Sequence, residues 1–195
     1  MKIGLFFGSF NPLHIGHKFI ASYIAVFTNL DKVMFIVSPQ NPFKEKKTLL
    51  DQYHRLQIIR AEVEDNIKLD VSDIEFSMPQ PSFTIDTLVR LEEKYPKHEF
   101  SLILGSDNLS TFHKWKNYKQ ILENYIIYVY KREMDNTSIK KDIKEHKNVC
   151  FINGVPKMDI SASFIRDAIK EGKDVSYMVP EKAWNYIDEM NFYKK

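Results

Sequence analysis

The chain has little of what marks exported, membrane-bound or nucleic-acid-binding proteins. Its 195 residues include one cysteine, Cys150. A single thiol forms no internal disulfide and no cysteine-rich zinc site. Val149 and Phe151 beside it predict a core position in a strand, and no histidine or cation adjoins it to make a catalytic thiol. Long apolar runs are missing too, so no stretch reaches bilayer-spanning length. The apolar run after Lys2 breaks at Gly8, and Asn11, Pro12 and His14 follow, unlike the apolar core and cleavage site of an export signal. The expectation is a cytoplasmic protein with no membrane partner. Charge of one sign is also scarce: 28 basic residues face 26 acidic ones, for a net charge of +2. Counterion-driven binding needs a clustered basic face, so no nucleic-acid partner is expected.

What is present is an ordinary globular composition, 44% hydrophobic and 28% charged. That length suits one domain over residues 1–195 with a real core. Residues 3–7 form a continuous apolar run, as in a strand buried on both faces. Residues 8–12 read as a turn, and a helix follows from about Leu13 with Ile15, Phe19, Ile20, Tyr23, Ile24 and Phe27 on one face. Residues 33–37 predict a second strand, residues 40–47 a polar loop, and Asp51 a helix cap with Leu56, Ile59 and Val63 inward. Short strands are expected at 67–71 and 74–76, then a helix over 83–95 stopped by Pro96. Residues 100–104 predict a buried strand, 120–123 a short helix and 126–130 another strand. Thr137 is the expected cap of a surface helix reaching His146, and 149–152 a last strand. Helices at 161–171, ended by Gly172, and from Pro180 to about 190 make a small C-terminal helical portion. Strands alternating with helices predict an α/β fold: a Rossmann-like, doubly wound parallel sheet with helices on both faces. Such sheets bind ligands beyond the carboxyl ends of their strands. Residues 8–17, 39–47 and 105–115 lie there.

In the first of these segments, Gly8-Ser9-Phe10 precedes His14-x-x-His17. A glycine at a strand end lets backbone amides approach a phosphate, and a helix start offers free N–H groups. Histidines three apart share a helix face and can donate to one phosphate. By spacing alone, a capped turn with two surface histidines fits equally well. Zinc fits less well, since no third ligand lies near in sequence.

The whole string GSFNPLHIGH resembles the G-[ST]-F-[DN]-P-x-H-x-G-H signature of the nucleotidylyltransferase superfamily. Residues 160–166, ISASFIR, resemble its ISSTxIR motif, with Ala162 in place of a serine and Ser163 in the threonine position. Three more segments resemble nicotinate-nucleotide adenylyltransferases, over nearly the whole chain. Residues 41–44, NPFK, are similar to a Pro-Pro-His-Lys loop, with Phe43 replacing histidine. Residues 82–88, SFTIDTL, are similar to S-Y-T-x-D-T-L, and residues 104–109 with Trp115 to G-x-D-x-L…W.

The resemblance implies adenylyl transfer from ATP to nicotinate mononucleotide. It implies that Gly8, Ser9, Phe10, Ser161, Ser163 and Lys44 bind ATP, and that His14, His17 and Arg166 are catalytic. Thr84 and Trp115 would hold the nicotinate ring, and Asp107 would face the ribose or metal end. Residues 161–195 would complete the triphosphate site. Mg2+ would arrive with ATP, without protein ligands identified in the sequence. A flat apolar tryptophan suits a pyridine ring, and helix N–H groups near Thr84 suit its carboxylate.

Other readings remain open. Nicotinamide mononucleotide differs from the nicotinate compound only in carboxamide for carboxylate. Phosphopantetheine adenylyltransferase usually has threonine where His14 stands and lacks the SxTxDT segment and the Trp115 equivalent. Class I aminoacyl-tRNA synthetases share HIGH, and Lys157-Met158 is faintly similar to their second signature, but this chain is too short and uncharged for tRNA. A non-catalytic nucleotide sensor could keep the same fold. Aromatics near Tyr186, Phe192 and Tyr193 fit either a packing tail or a homo-oligomer interface.

Overall fold

The computed structural model describes residues 1–39, 49–132 and 139–194. These residues form a parallel six-stranded sheet in the order β3-β2-β1-β4-β5-β6. The strands are β1 (Lys2–Gly8), β2 (Lys32–Val37), β3 (Leu69–Ser72), β4 (Glu99–Gly105), β5 (Ile126–Tyr130) and β6 (Val149–Ile152). The helices are α1 (Ile15–Phe27), α2 (Gln52–Val63), α3 (Thr84–Lys94), α4 (Ser106–Thr111), α5 (Tyr118–Asn124), α6 (Lys141–Lys144), α7 (Ala162–Lys170) and α8 (Glu181–Glu189).

Strand alternation feeds two cores. On β2, Val33, Phe35 and Val37 join α1, α2, α7 and α8 side chains such as Ile24, Leu56, Ile165 and Ile187. Met34 and Ile36 face the other way, with Leu88 of α3, Leu109 of α4, Ile121 of α5 and Ile143 of α6. Helices therefore cover both faces, as the alternating pattern predicts. Burying each such Leu or Ile contributes about 1.5–3 kcal/mol. The order reverses between β1 and β4, which open a crevice at their carboxyl ends.

Several elements differ from expectation. Residues 74–76 are not a strand: Ile74–Ser77 is a 3₁₀ turn. Ser72 Oγ accepts from the Ile74 N–H at 3.2 Å, and local bonds of this kind replace a ladder. β3 also starts at Leu69 rather than 67. Cys150 lies in a strand as predicted, but it is exposed, because β6 is the edge of the sheet. In α1 the buried face is Gly16, Ile20, Ala21, Ile24 and Ala25, while Phe27 is exposed and stacks on Tyr23. Small residues let α1 lie close to the sheet and leave the larger rings at its margin. α6 is one short turn starting after Lys140, and Thr137 lies outside the described residues. Asp51 does cap α2, its carboxylate accepting from the Tyr53 N–H at 2.8 Å.

The C-terminal aromatics pack inward. Tyr186, Phe192 and Tyr193 lie against the α1–α2 core, and His54 of α2 bonds the Tyr186 hydroxyl at 3.1 Å. They are a packing tail.

Candidate active site

The site grows from the end of β1. Gly8 is required there, since a Cβ would come within 2.8 Å of the Phe10 ring. Phe10 has φ 45°, which bends the chain out of the strand. Its ring is buried among Phe6 and Phe35 and meets His17 edge-on at 5.1 Å. The Phe10 side chain is thus a core wedge behind His17, and only its backbone can face a nucleotide. Ser9 turns its carbonyl away, toward Arg55.

His14 is the N-cap of α1. Its ring stacks on His17 with centroids 3.6 Å apart. The His14 N–H donates to His17 Nδ1 at 3.4 Å, so a neutral His17 carries its proton on Nε2. Burial, and then the charge of Arg132, push the His14 imidazole down to about 4. His14 is therefore neutral at neutral pH, which permits the close stack. Its Nδ1 has no hydrogen-bond partner among the described residues. Two stacked imidazoles at a helix start suit an oxyanion.

Helix α7 brings the distant motif to this turn. Arg166 Nη1 donates to the Asn11 carbonyl at 2.7 Å, and Nη2 to Ser163 Oγ at 3.2 Å. Ser161 caps α7, its hydroxyl accepting from the Phe164 N–H at 3.2 Å. Ala162 is the first helical residue, so its missing hydroxyl leaves the cap intact. Lys44 and Phe43 lie outside the described residues.

A second group of residues gathers around the α3 N-terminus. Thr84 is the first residue of α3, where backbone N–H groups lack helical partners. Trp115 is half-buried and packs on Phe112 at 5.3 Å. Next to it, Lys116 bonds both oxygens of Asp86 at 3.0 and 2.9 Å and lies over the Phe83 ring. That bridge brings the Trp115 segment to the start of α3. Asp107 stands in the first turn of α4, where Oδ2 accepts from Arg132 Nη1 at 3.3 Å. Its Oδ1 is buried and has no hydrogen-bond partner among the described residues.

A family model for cytidylyltransferase-like proteins matches residues 5–168. Over its whole length the chain is 52% identical to all of a Flavobacterium johnsoniae protein named "Probable nicotinate-nucleotide adenylyltransferase". The chain belongs to the nicotinate-nucleotide adenylyltransferases of the cytidylyltransferase-like family. A Christiangramia forsetii relative of the same name is 46% identical, over 99% of this chain and 98% of that one. Among solved structures, Plasmodium falciparum nicotinic acid mononucleotide adenylyltransferase complexed with NaAD superposes with a TM-score of 0.80. The match covers 99% of this chain and 97% of that one at 20% identity, a likeness of fold.

In this adenylyltransferase, three features escape motif reading. Arg132, just beyond β5, joins Asp107 and acts on His14. Its position after a strand end was the available signal, but nothing in sequence links it to either partner. Arg55 is fully buried and donates to four carbonyls: Leu50 at 2.8 Å, Ser9 at 2.6 Å, Ser38 at 2.8 Å and Pro39 at 3.0 Å. Burial lowers it to about 10, so it remains charged at neutral pH. On a helical pattern Arg55 reads as a solvated charge. Glu75, in the 3₁₀ turn, is the third.

Proposed function

We propose that this enzyme joins ATP and nicotinate mononucleotide at the β1–β4 crevice, using the histidine pair and Arg166 on the triphosphate and Thr84 and Trp115 on the acceptor. The product is nicotinate adenine dinucleotide, and the reaction belongs to NAD biosynthesis. The observation that supports this assignment is the 2.7 Å bond from Arg166 Nη1 to the Asn11 carbonyl, which joins the α7 motif to the turn after β1.

A 5′-phosphate oxygen of the acceptor attacks the α-phosphorus in line. The new P–O bond forms as the bond from the α-phosphorus to the bridging oxygen breaks, and pyrophosphate leaves with that electron pair. Both partners already carry competent groups, so positioning and charge stabilisation dominate. His17 Nε2–H donates to the α/β-phosphate oxygens, and the stacked His14 holds its ring in place and contributes a second imidazole. Gly8, Ser9 and Phe10 offer backbone to the phosphates. Arg166, Ser163 and the α7 start under its Ser161 cap receive the departing pyrophosphate, with Lys44 as a further cation. The C-terminal helices complete the triphosphate half. Trp115 stacks the pyridine ring, and the α3 N-terminus meets its carboxylate.

Carried by ATP, Mg2+ would screen the charge of the triphosphate. The described residues contain no group of three or more His, Cys, Asp or Glu placed to hold a metal. The unpartnered Asp107 Oδ1 is the carboxylate oxygen that suits the ion or the ribose. Because the reaction consumes ATP, we assign it to the cytoplasm.

A pyrophosphate-release assay with MgATP tests this reading on nicotinate mononucleotide, nicotinamide mononucleotide and phosphopantetheine in parallel. The nicotinate compound is expected to be turned over fastest. Turnover of phosphopantetheine alone would overturn the acceptor, and release with none of the three would make the chain a nucleotide sensor. In the same assay His17→Ala is expected to lose about 10²–10³ in rate with an unchanged circular dichroism spectrum. A folded variant with a near-normal rate removes His17 from the machinery.

A further inference from the structure

Glu75 is the one carboxylate buried among the described residues, at 2% exposure. Its observed partners are hydroxyls. Thr87 Oγ1 donates to Oε1 at 2.7 Å, and Ser82 Oγ donates to Oε2 at 2.9 Å. Even with both bonds, burial pushes the carboxyl above its usual range. Its own backbone carbonyl accepts from Gln80 Nε2 at 3.0 Å. A buried carboxylate supported by hydroxyls costs more than an apolar side chain of the same shape. Packing alone does not account for it.

Its two hydroxyl partners have a common geography. Ser82 precedes α3, and Thr87 lies in its first turns. One side chain therefore ties the 3₁₀ turn after β3 to both sides of Thr84. The loop it anchors, residues 78–83, is short of regular structure and has no ladder to hold it.

We propose that Glu75 is a positioning residue for the acceptor: it sets the α3 N-terminus so that the N–H groups at Thr84 meet the ring carboxylate of nicotinate mononucleotide. This rests on the acceptor assigned above. The carboxylate suits the task because each of its two oxygens accepts from one hydroxyl. A glutamine of the same shape has one acceptor oxygen, and its NH₂ would force a hydroxyl to turn around.

Steady-state kinetics on Glu75→Gln, with ATP and nicotinate mononucleotide varied in turn, test this. The KM for nicotinate mononucleotide is expected to rise about tenfold, the size of one lost hydrogen bond. The KM for ATP stays at the wild-type value, and selectivity over nicotinamide mononucleotide falls in parallel. Ser82→Ala, which removes one donor at a half-buried position, gives a smaller rise of the same kind and keeps the test alive if Glu75→Gln folds poorly. A merely structural role gives a different result: kcat falls with the folded fraction, and neither KM nor selectivity moves. That outcome, or equal rises in both KM values, overturns the proposal. Wild-type turnover of nicotinate mononucleotide is the control. If it is absent both readings fall, and if it is present with unmoved acceptor KM values only the role of Glu75 falls.

Discussion

At His14 the imidazole sits on His17 with ring centroids 3.6 Å apart, and burial followed by the Arg132 charge brings it down to about 4. In the unfolded chain the same group titrates near 6.5. Between those values the unfolded state binds the extra proton, so stability rises with pH through that window. The contribution is complete above about 6.5 and is lost as pH falls toward 4, amounting to about 3 kcal/mol. Urea unfolding at pH 7 and pH 4 should show His14→Asn losing about 3 kcal/mol less than the wild type across that interval. An equal loss in both proteins would mean that His14 is not the group responsible. The pair His14-x-x-His17 was legible because both rings belong to one helix start. Arg132 was not, since it reaches them through the fold.

Elements here are joined more by single polar side chains than their hydrophobic pattern suggests. Arg55 projects from α2 into the turns after β1 and β2 and satisfies carbonyls of Ser9, Ser38, Pro39 and Leu50. Arg55→Met fills much of the volume but leaves those carbonyls short of donors. It is expected to lower the unfolding free energy by about 3 kcal/mol or more, read from the urea midpoint. A loss below about 0.5 kcal/mol, the level of an ordinary surface change, would mean the turns hold themselves. The strand and helix sequence of the chain was readable at this scale, because buried strands run apolar and Gly172 ends the helix over 161–171. Two of the differences show the limits of pattern reading. Ile74-Glu75-Phe76 is too short a run for periodicity to decide, and Ser72 turns it into a 3₁₀ turn. Cys150 has strand neighbours, but nothing local says that β6 is an edge.

Across the whole molecule the two ends of the chain meet at one asparagine. The Asn11 carbonyl accepts from Arg166 at 2.7 Å, and its Oδ1 accepts from the Tyr193 hydroxyl at 2.8 Å and from the Leu50 N–H at 3.1 Å. The aromatic tail thereby serves the first turn. From the sequence by itself follow the alternating α/β order, the turn after β1, the helix at the C-terminal motif and the family. Each rests on residues close together along the chain, where periodicity, caps and motif spacing act. Only the tertiary structure decided that Arg132 meets Asp107, that Lys116 bridges to Asp86, and that Glu75 and Arg55 are buried charges rather than solvated ones. Those pairings depend on which strand lies beside which. Parallel strands are joined by crossovers, and the β1–β4 contact links segments some 97 residues apart in register. Local chemistry does not specify a contact over that separation; the packed sheet does.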